Sequence, residues 1–212
     1  MNEHSFSMAG TVHAALRPAP RGDKRERILA AATDVFARNG FFGSQVADVA
    51  RAAGVAAGTV YLYFKSKDDL LVSIFERTMT SAIAEGREAL AGLPDPESRL
   101  RRIARLHLAR LGADRQLAVV FQVELRQTTK FMAQFSATYL REYLGMIRDI
   151  ISDGQAAGRF RADISPTLAA KVLFGALDEM ATNWVLSERQ YDLRSQADEV
   201  VDLIARGLAT GA

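Results

Sequence analysis

The chain has 212 residues, 49% of them hydrophobic, no cysteine and a formal net charge of +2. Such a length holds one large domain or two small ones, and such an apolar content fills a core. Disulfides, thiolate catalysis and cysteine metal sites are excluded; no apolar run nears the ~20 residues of a membrane helix, the first 22 residues lack a signal-peptide layout, and a cytoplasmic protein with no membrane partner is expected.

Residues 1–22 mix Gly, Pro, Ser and Ala without period and read as a flexible arm. Asp23 followed by Glu26 has the form of a capping box. Ile28, Leu29, Ala32, Val35 and Phe36 then recur at helical spacing until Gly40. Ser44 is placed to cap a short second helix that buries Val46, Val49, Ala50 and Ala53. Gly54 supplies a sharp turn, because a residue without Cβ takes positive φ at little cost. A third helix is expected from about Ala56 to Phe64, with Val60 and Phe64 inward. Two short helices joined at a glycine are the layout of a helix-turn-helix, which inserts a helix end into the DNA major groove. Ser66 opens a long helix that presents Leu70, Leu71, Ile74, Phe75 and Thr78 on one face.

Pro94 and Pro96 interrupt the chain, and every later segment reads as helix. Leu100, Ile103, Ala104, His107, Leu108 and Leu111 mark one. Asp114 can cap the next, with Leu117, Val120, Phe121 and Leu125. Phe131, Phe135, Tyr139, Tyr143, Ile147, Ile150 and Ile151 mark a third. GRFRADIS is a loop, and Ser165-Pro166 is a strong helix start. That helix carries Leu168 through Trp184, and a last one runs from about Leu193 to Leu208. No alternating strand pattern appears, so the fold class is all-α.

The DNA-reading residues follow from this layout. Gly58 costs about 1 kcal/mol of helix propensity, which either close packing or close approach to DNA would justify. Tyr61 lies on the same face, so Ala57, Gly58 and Tyr61 can meet base edges. Thr59 and Tyr63 offer hydroxyls to phosphate, and Ser44 and Gln45 begin the preceding helix. Lys67 sits in the first turn of a helix, where a cation opposes the dipole, so a phosphate partner is expected. Residues 1–67 carry nine Lys/Arg against five Asp/Glu, the sign that phosphate attraction requires, although a solvated basic face has the same composition.

Residues 50–67, with A-x-x-A-G-V-x-x-G-T-x-Y-x-Y-F-x-x-K, resemble the signature of TetR-type transcriptional regulators. The resemblance implies a nine-helix, Ω-shaped homodimer with a three-helix head over residues 23–68. Residues 69–212 would be a six-helix body that binds ligand and dimerises through its last two helices. It implies double-stranded operator DNA as partner and a small apolar effector that relieves repression. The stretches LAVVFQVELRQTTKF (117–131) and FGALDEMATNWVLSERQYDL (174–193) are similar to the acyl-CoA-responsive FadR-type subgroup of Bacillus and Thermus. That likeness implies repression of fatty-acid degradation genes, released by a long-chain acyl-CoA, with no bound cofactor.

An acyl chain needs a dry tunnel, worth about 0.8 kcal/mol per buried CH₂. Phe75, Leu106, Leu108, Phe121, Leu125, Phe131, Phe135, Tyr139, Tyr143 and Phe174 are candidates to line one, with ordinary core packing as the competing account. His107 lies on an apolar face, either as a hydrogen-bonded core histidine or as a ligand contact. Arg126 shares a largely apolar helix with Gln122, Glu124 and Gln127. Buried polar groups need partners, so these either form a structural network or hold the polar part of a ligand. Arg99, Arg101, Arg102, Arg105 and Arg110 crowd one helix, as CoA-phosphate cations or as a salt-bridged face. Asp178 and Glu179 read as surface or interface charges. Three scattered histidines make no metal site, and neither a G-x-S-x-G elbow nor a P-loop is present, so an enzyme is not expected. A drug-like or aromatic effector, or a lipid carrier without DNA binding, are the alternatives.

Overall fold

A computed structural model describes residues 24–127, 133, 136–189 and 191–209. The expected arm, the Asp23 cap, Phe131 and Phe135 lie outside the described residues. Among those described there are nine α-helices and no strand. They are α1 Lys24–Asn39, α2 Val46–Ala53, α3 Ala57–Tyr61, α4 Lys67–Leu90, α5 Pro96–Ala113, α6 Arg115–Val119, α7 Arg141–Ala156, α8 Pro166–Leu186 and α9 Ala197–Leu208. Helix α6 continues as a π-helical turn, Val120–Glu124, and a 3-10 turn, Leu125–Gln127. A second π-helical turn, Ser136–Leu140, leads into α7.

Local chemistry sets most of the boundaries. The side chains of Ser66, Asp95, Asp114 and Ser165 each accept a main-chain N–H from the first turn of their helix, which satisfies donors that the helix leaves unpaired. Pro96 and Pro166 sit in first turns, where a missing N–H costs nothing. Gly54 closes α2 in the left-handed conformation, φ +66°. Its N–H donates to Arg51 O, and the Val55 N–H to Ala50 O. Arg27 adds a bond from α1 to Ala53 O at 2.8 Å, so α1 holds the turn from behind. The third helix is shorter than its sequence pattern: it ends at Tyr61, and Leu62 to Phe64 complete it as a turn.

Two apolar cores meet at α6. The head core joins Ile28, Phe36, Phe41, Val60, Phe64, Leu70 and Phe75 with Leu117, Val120 and Leu125. The body core joins α5, α7, α8 and α9 through residues such as Leu100, Leu108, Ile147, Ile150, Leu173, Leu177 and Val201. Phe121 packs against both. Fully burying side chains of this size contributes about 1.5–3 kcal/mol each, so α6 is held firmly on two sides. Arg115 anchors its start, donating to the main-chain oxygens of Trp184, Val185 and Ser187 at the end of α8.

Candidate functional site

Most of the residues expected to read DNA reach the surface of the head. Gln45, Ala57, Gly58, Tyr61 and Tyr63 are exposed, and Thr59 is half-buried. Val60 and Phe64 turn inward and are almost fully buried, which leaves the opposite side of α3 to solvent. No atom lies within 4 Å of where a Cβ on Gly58 would stand. Close packing within the chain therefore does not require glycine there. The head also exposes Phe42 and Leu62, 62% and 82%, which the helical pattern did not single out.

Two of the residues expected at DNA do something else. Ser44 is buried, and its hydroxyl donates to Gly40 O at 2.6 Å. Gln45 is the residue that caps α2, its N–H donating to Asp48 Oδ2. Ser44 is thus turned into the α1–α2 connection, where its hydroxyl satisfies a main-chain oxygen just past the end of α1. Lys67 did need a partner other than its own helix, but that partner is backbone. Its ammonium donates to Phe41 O at 2.8 Å and Ser44 O at 2.9 Å, and it stands 4.6 Å from the centre of the Phe41 ring.

The body holds an internal cavity of about 180 Å³ between α4, α5, the turns after α6, α7 and α8. Leu106, His107, Phe121, Leu125, Arg126, Tyr143 and Phe174 line it, as do Met79, Ile103, Leu111 and Leu140. Phe75 and Tyr139, expected in the wall, are not there. Phe75 lies one layer out in the head core and meets the Phe121 ring edge-on at 4.6 Å. Leu108 is buried in the body core on another side of α5.

Polar groups enter this wall in three places. Arg126 donates to Gln122 Oε1 at 3.0 Å and to Asp178 Oδ2, while Gln122 donates to Asp178 Oδ1 at 3.1 Å. Thr182 donates to Gln122 Oε1 as well. Asp178 is therefore part of a cavity-wall network and not a surface charge. Glu85 and Arg110 form an ion pair at a second place. His107 and Tyr143 form the third, with Nδ1 and the phenol oxygen 3.1 Å apart. Burial pushes the His107 imidazole down to about 4, and it pushes the Tyr143 phenol up. Both are uncharged at neutral pH.

Glu124, expected in a network with its helix neighbours or at a ligand, bonds one of those neighbours and also reaches the head. It is 5% exposed, accepts the Phe41 main-chain N–H at 2.6 Å through Oε2 and a Gln127 amide N–H at 2.9 Å. One acid in the apolar run LAVVFQVEL was the available signal, but the residue it meets is 83 positions away. Among the crowded arginines, Arg99 pairs with Asp153, Arg101 with Glu97 and Asp202, and Arg105 with Asp198 through two bonds. Those form a salt-bridged face. No cluster of three His, Asp or Glu able to hold a metal occurs among the described residues, and none of their helices is long and apolar enough to cross a membrane.

Comparison with known proteins agrees with this architecture. Residues 28–74 match the family model of bacterial regulatory proteins of the tetR family, and residues 75–207 match that of the YsiA-like protein C-terminal region. The chain is 35% identical to the fatty acid metabolism regulator protein of Bacillus subtilis over 185 residues, 87% of this chain and 95% of that one. The structure of the fatty acid degradation regulator FadR from Bacillus halodurans superposes with a TM-score of 0.84, at 36% identity, covering 90% of this chain and 98% of the other. The Bacillus subtilis FadR structure, a complex with stearoyl-CoA, gives a TM-score of 0.82 at 35% identity, covering 86% and 98%.

Proposed function

This chain belongs to the TetR family of transcriptional regulators, and from that premise we propose that it represses fatty-acid degradation genes until a long-chain acyl-CoA releases it from its operator. The single observation that carries the reading is the position of the turn Val120–Glu124. Phe121 and Gln122 line the cavity from it, and Glu124 holds the head through Phe41. A chain in the cavity meets Phe121, and Phe121 is part of the same backbone turn. A π-helical turn is a local over-wide winding of the kind frequent at functional sites, and a change in its winding moves Phe121 and Glu124 together. Effector binding favours the changed winding and shifts the head population off DNA.

The DNA surface in this reading is Gln45, Ala57, Gly58, Thr59, Tyr61 and Tyr63. Ser44 and Lys67 act behind it by holding the turn before α2. Two heads come from a homodimer. Leu168, Val172 and Leu186 on α8 and Leu203 on α9 are 57%, 52%, 70% and 79% exposed, an apolar face suited to a four-helix bundle with a second copy. The heads then address half-sites about 34–36 Å apart or a multiple of that.

The apolar wall suits an acyl chain, and Arg110 and Arg126 are the cations among the described residues that line it. A cationic drug is a poorer fit, because the carboxylates that reach the cavity, Glu85 and Asp178, are already paired with these arginines. The test is an operator gel shift with stearoyl-CoA, free CoA and stearate. Release by stearoyl-CoA alone is expected. Retention of the operator complex at concentrations that saturate stearoyl-CoA binding would end the proposal.

A further inference from the structure

Inside a largely apolar cavity wall, His107 Nε2 is shielded from water and has no hydrogen-bond partner among the described residues. The other ring nitrogen, Nδ1, is 3.1 Å from the Tyr143 hydroxyl. Phe174 presents itself edge-on to the imidazole, with ring centres 5.8 Å apart, and stands 6.1 Å from Tyr143. The three rings form one corner of the cavity.

Counting hydrogen-bond groups decides where the protons are. The imidazole is neutral, so it has one N–H and one lone pair. If Nδ1 carried the proton, it would donate to the Tyr143 oxygen. The Tyr143 O–H and the Nε2 lone pair would then both be buried without partners. If Tyr143 donates to Nδ1 instead, the phenol is satisfied and only the Nε2–H is left. Each buried unpaired group is costly, so the arrangement with one orphan wins. Tyr143 therefore locks His107 into the tautomer with a proton on Nε2.

His107 lines the cavity, and a buried N–H on such a residue with no partner among the described residues is a recognition element for an uncharged oxygen that a ligand brings within reach. We propose that the Nε2–H of His107 donates to the carbonyl oxygen of the acyl ligand, and that the Tyr143–His107 pair is what separates an acyl thioester from a hydrocarbon of the same length. This rests on the acyl-CoA reading and adds a requirement to it. Shape and apolar burial alone would accept an alkyl chain just as well, since a hydrocarbon wall does not discriminate by oxygen. A site built to hydrogen-bond a group rejects the analogue that lacks it, because the protein donor stays unpaired.

The experiment compares stearoyl-CoA with S-octadecyl-CoA, the thioether that lacks the carbonyl, in operator release and in direct binding. The intact protein is expected to need about tenfold more thioether, which corresponds to about 1.4 kcal/mol. His107→Phe keeps the ring and removes the donor, so the two ligands become equivalent within about twofold. Tyr143→Phe keeps the donor but unlocks the tautomer, and the preference is partly lost. The ¹⁵N shifts of His107 in the unsubstituted protein are expected to show protonated Nε2 and unprotonated Nδ1. Equal potency of the two ligands in the unsubstituted protein, or a tenfold preference that survives in His107→Phe, overturns the inference while acyl-CoA release stands. If neither ligand binds or releases the operator, the acyl-CoA reading falls and takes this inference with it.

Discussion

The main-chain N–H of Phe41 donates to Glu124 Oε2 across 2.6 Å. Phe41 lies in the connection that leads into α2, and Glu124 ends the π-helical turn that walls the cavity. The other side of that connection is held by Lys67, through Phe41 O and Ser44 O. The start of the helix-turn-helix is thus gripped by the body from one side and by α4 from the other.

Glu124→Ala should uncouple effector from operator. The substitution removes the carboxylate that accepts the buried Phe41 N–H, at a cost of about 1–3 kcal/mol. Glu124 does not line the cavity, so stearoyl-CoA affinity is expected to hold. The ratio of operator affinities without and with effector is expected to shrink about tenfold, a coupling loss inside the usual 1–3 kcal/mol. Glu124→Gln, whose carbonyl still accepts from Phe41, should behave much like the unsubstituted protein. Titrations of labelled operator with and without stearoyl-CoA measure both.

Gly58→Ala separates folding from DNA contact. A Cβ there meets nothing within 4 Å, and alanine improves helix propensity by up to about 1 kcal/mol. The melting temperature should stay the same or rise slightly. Operator affinity should fall at least tenfold, because the added methyl stands on the surface offered to DNA. Unchanged affinity would remove Gly58 from that surface.

Lys67→Met tests a clamp against a phosphate contact. Loss of charged hydrogen bonds to Phe41 O and Ser44 O should destabilise the head by about 1–3 kcal/mol and lower its melting temperature by several degrees. The salt dependence of operator binding should keep its slope. A lost phosphate contact would instead reduce that slope by about 0.9.

His107 predicts a pH dependence of stability. Its pKa falls from 6.5 to about 4 on folding, chiefly through burial. Between those values the unfolded chain binds the extra proton and the folded one does not, so stability rises with pH across this window. Acidification from pH 6.5 to 4 should cost about 3 kcal/mol through this residue. His107→Phe should flatten that part of the profile, as measured by urea unfolding at a series of pH values.

Leu203→Arg tests the dimer face. Leu203 is 79% exposed, so the protomer should fold normally. Light scattering should report a monomer, and operator affinity should drop steeply because two heads no longer act together. A variant that stays dimeric would move the interface elsewhere.

Helix positions and caps were legible because they are local. Gly54, Ser66, Asp114 and Ser165 act within four residues of themselves, and the apolar spacing of Ile28 to Phe36 points to one face whatever packs on it. The exposed side of α3 was legible for the same reason: Val60 and Phe64 turn inward at helical spacing, and Tyr61 must then turn out. Five of the residues expected in the cavity wall, Leu106, Phe121, Leu125, Tyr143 and Phe174, do line it, because aromatic and apolar residues on facing helices had few other places to go.

Sequence by itself determined the class of the molecule: an all-helical chain with a helix-turn-helix ahead of an apolar body, since periodicity and turn chemistry are properties of neighbouring residues. Tertiary structure alone decided who answers whom. Glu124 meets Phe41, Lys67 meets the carbonyls before α2, Asp178 turns into the cavity, and Tyr143 sets the proton on His107. Each of these is a buried or half-buried polar group whose partner must be found across the fold, and the energy of that pairing depends on distances of a few tenths of an ångström that no linear pattern contains.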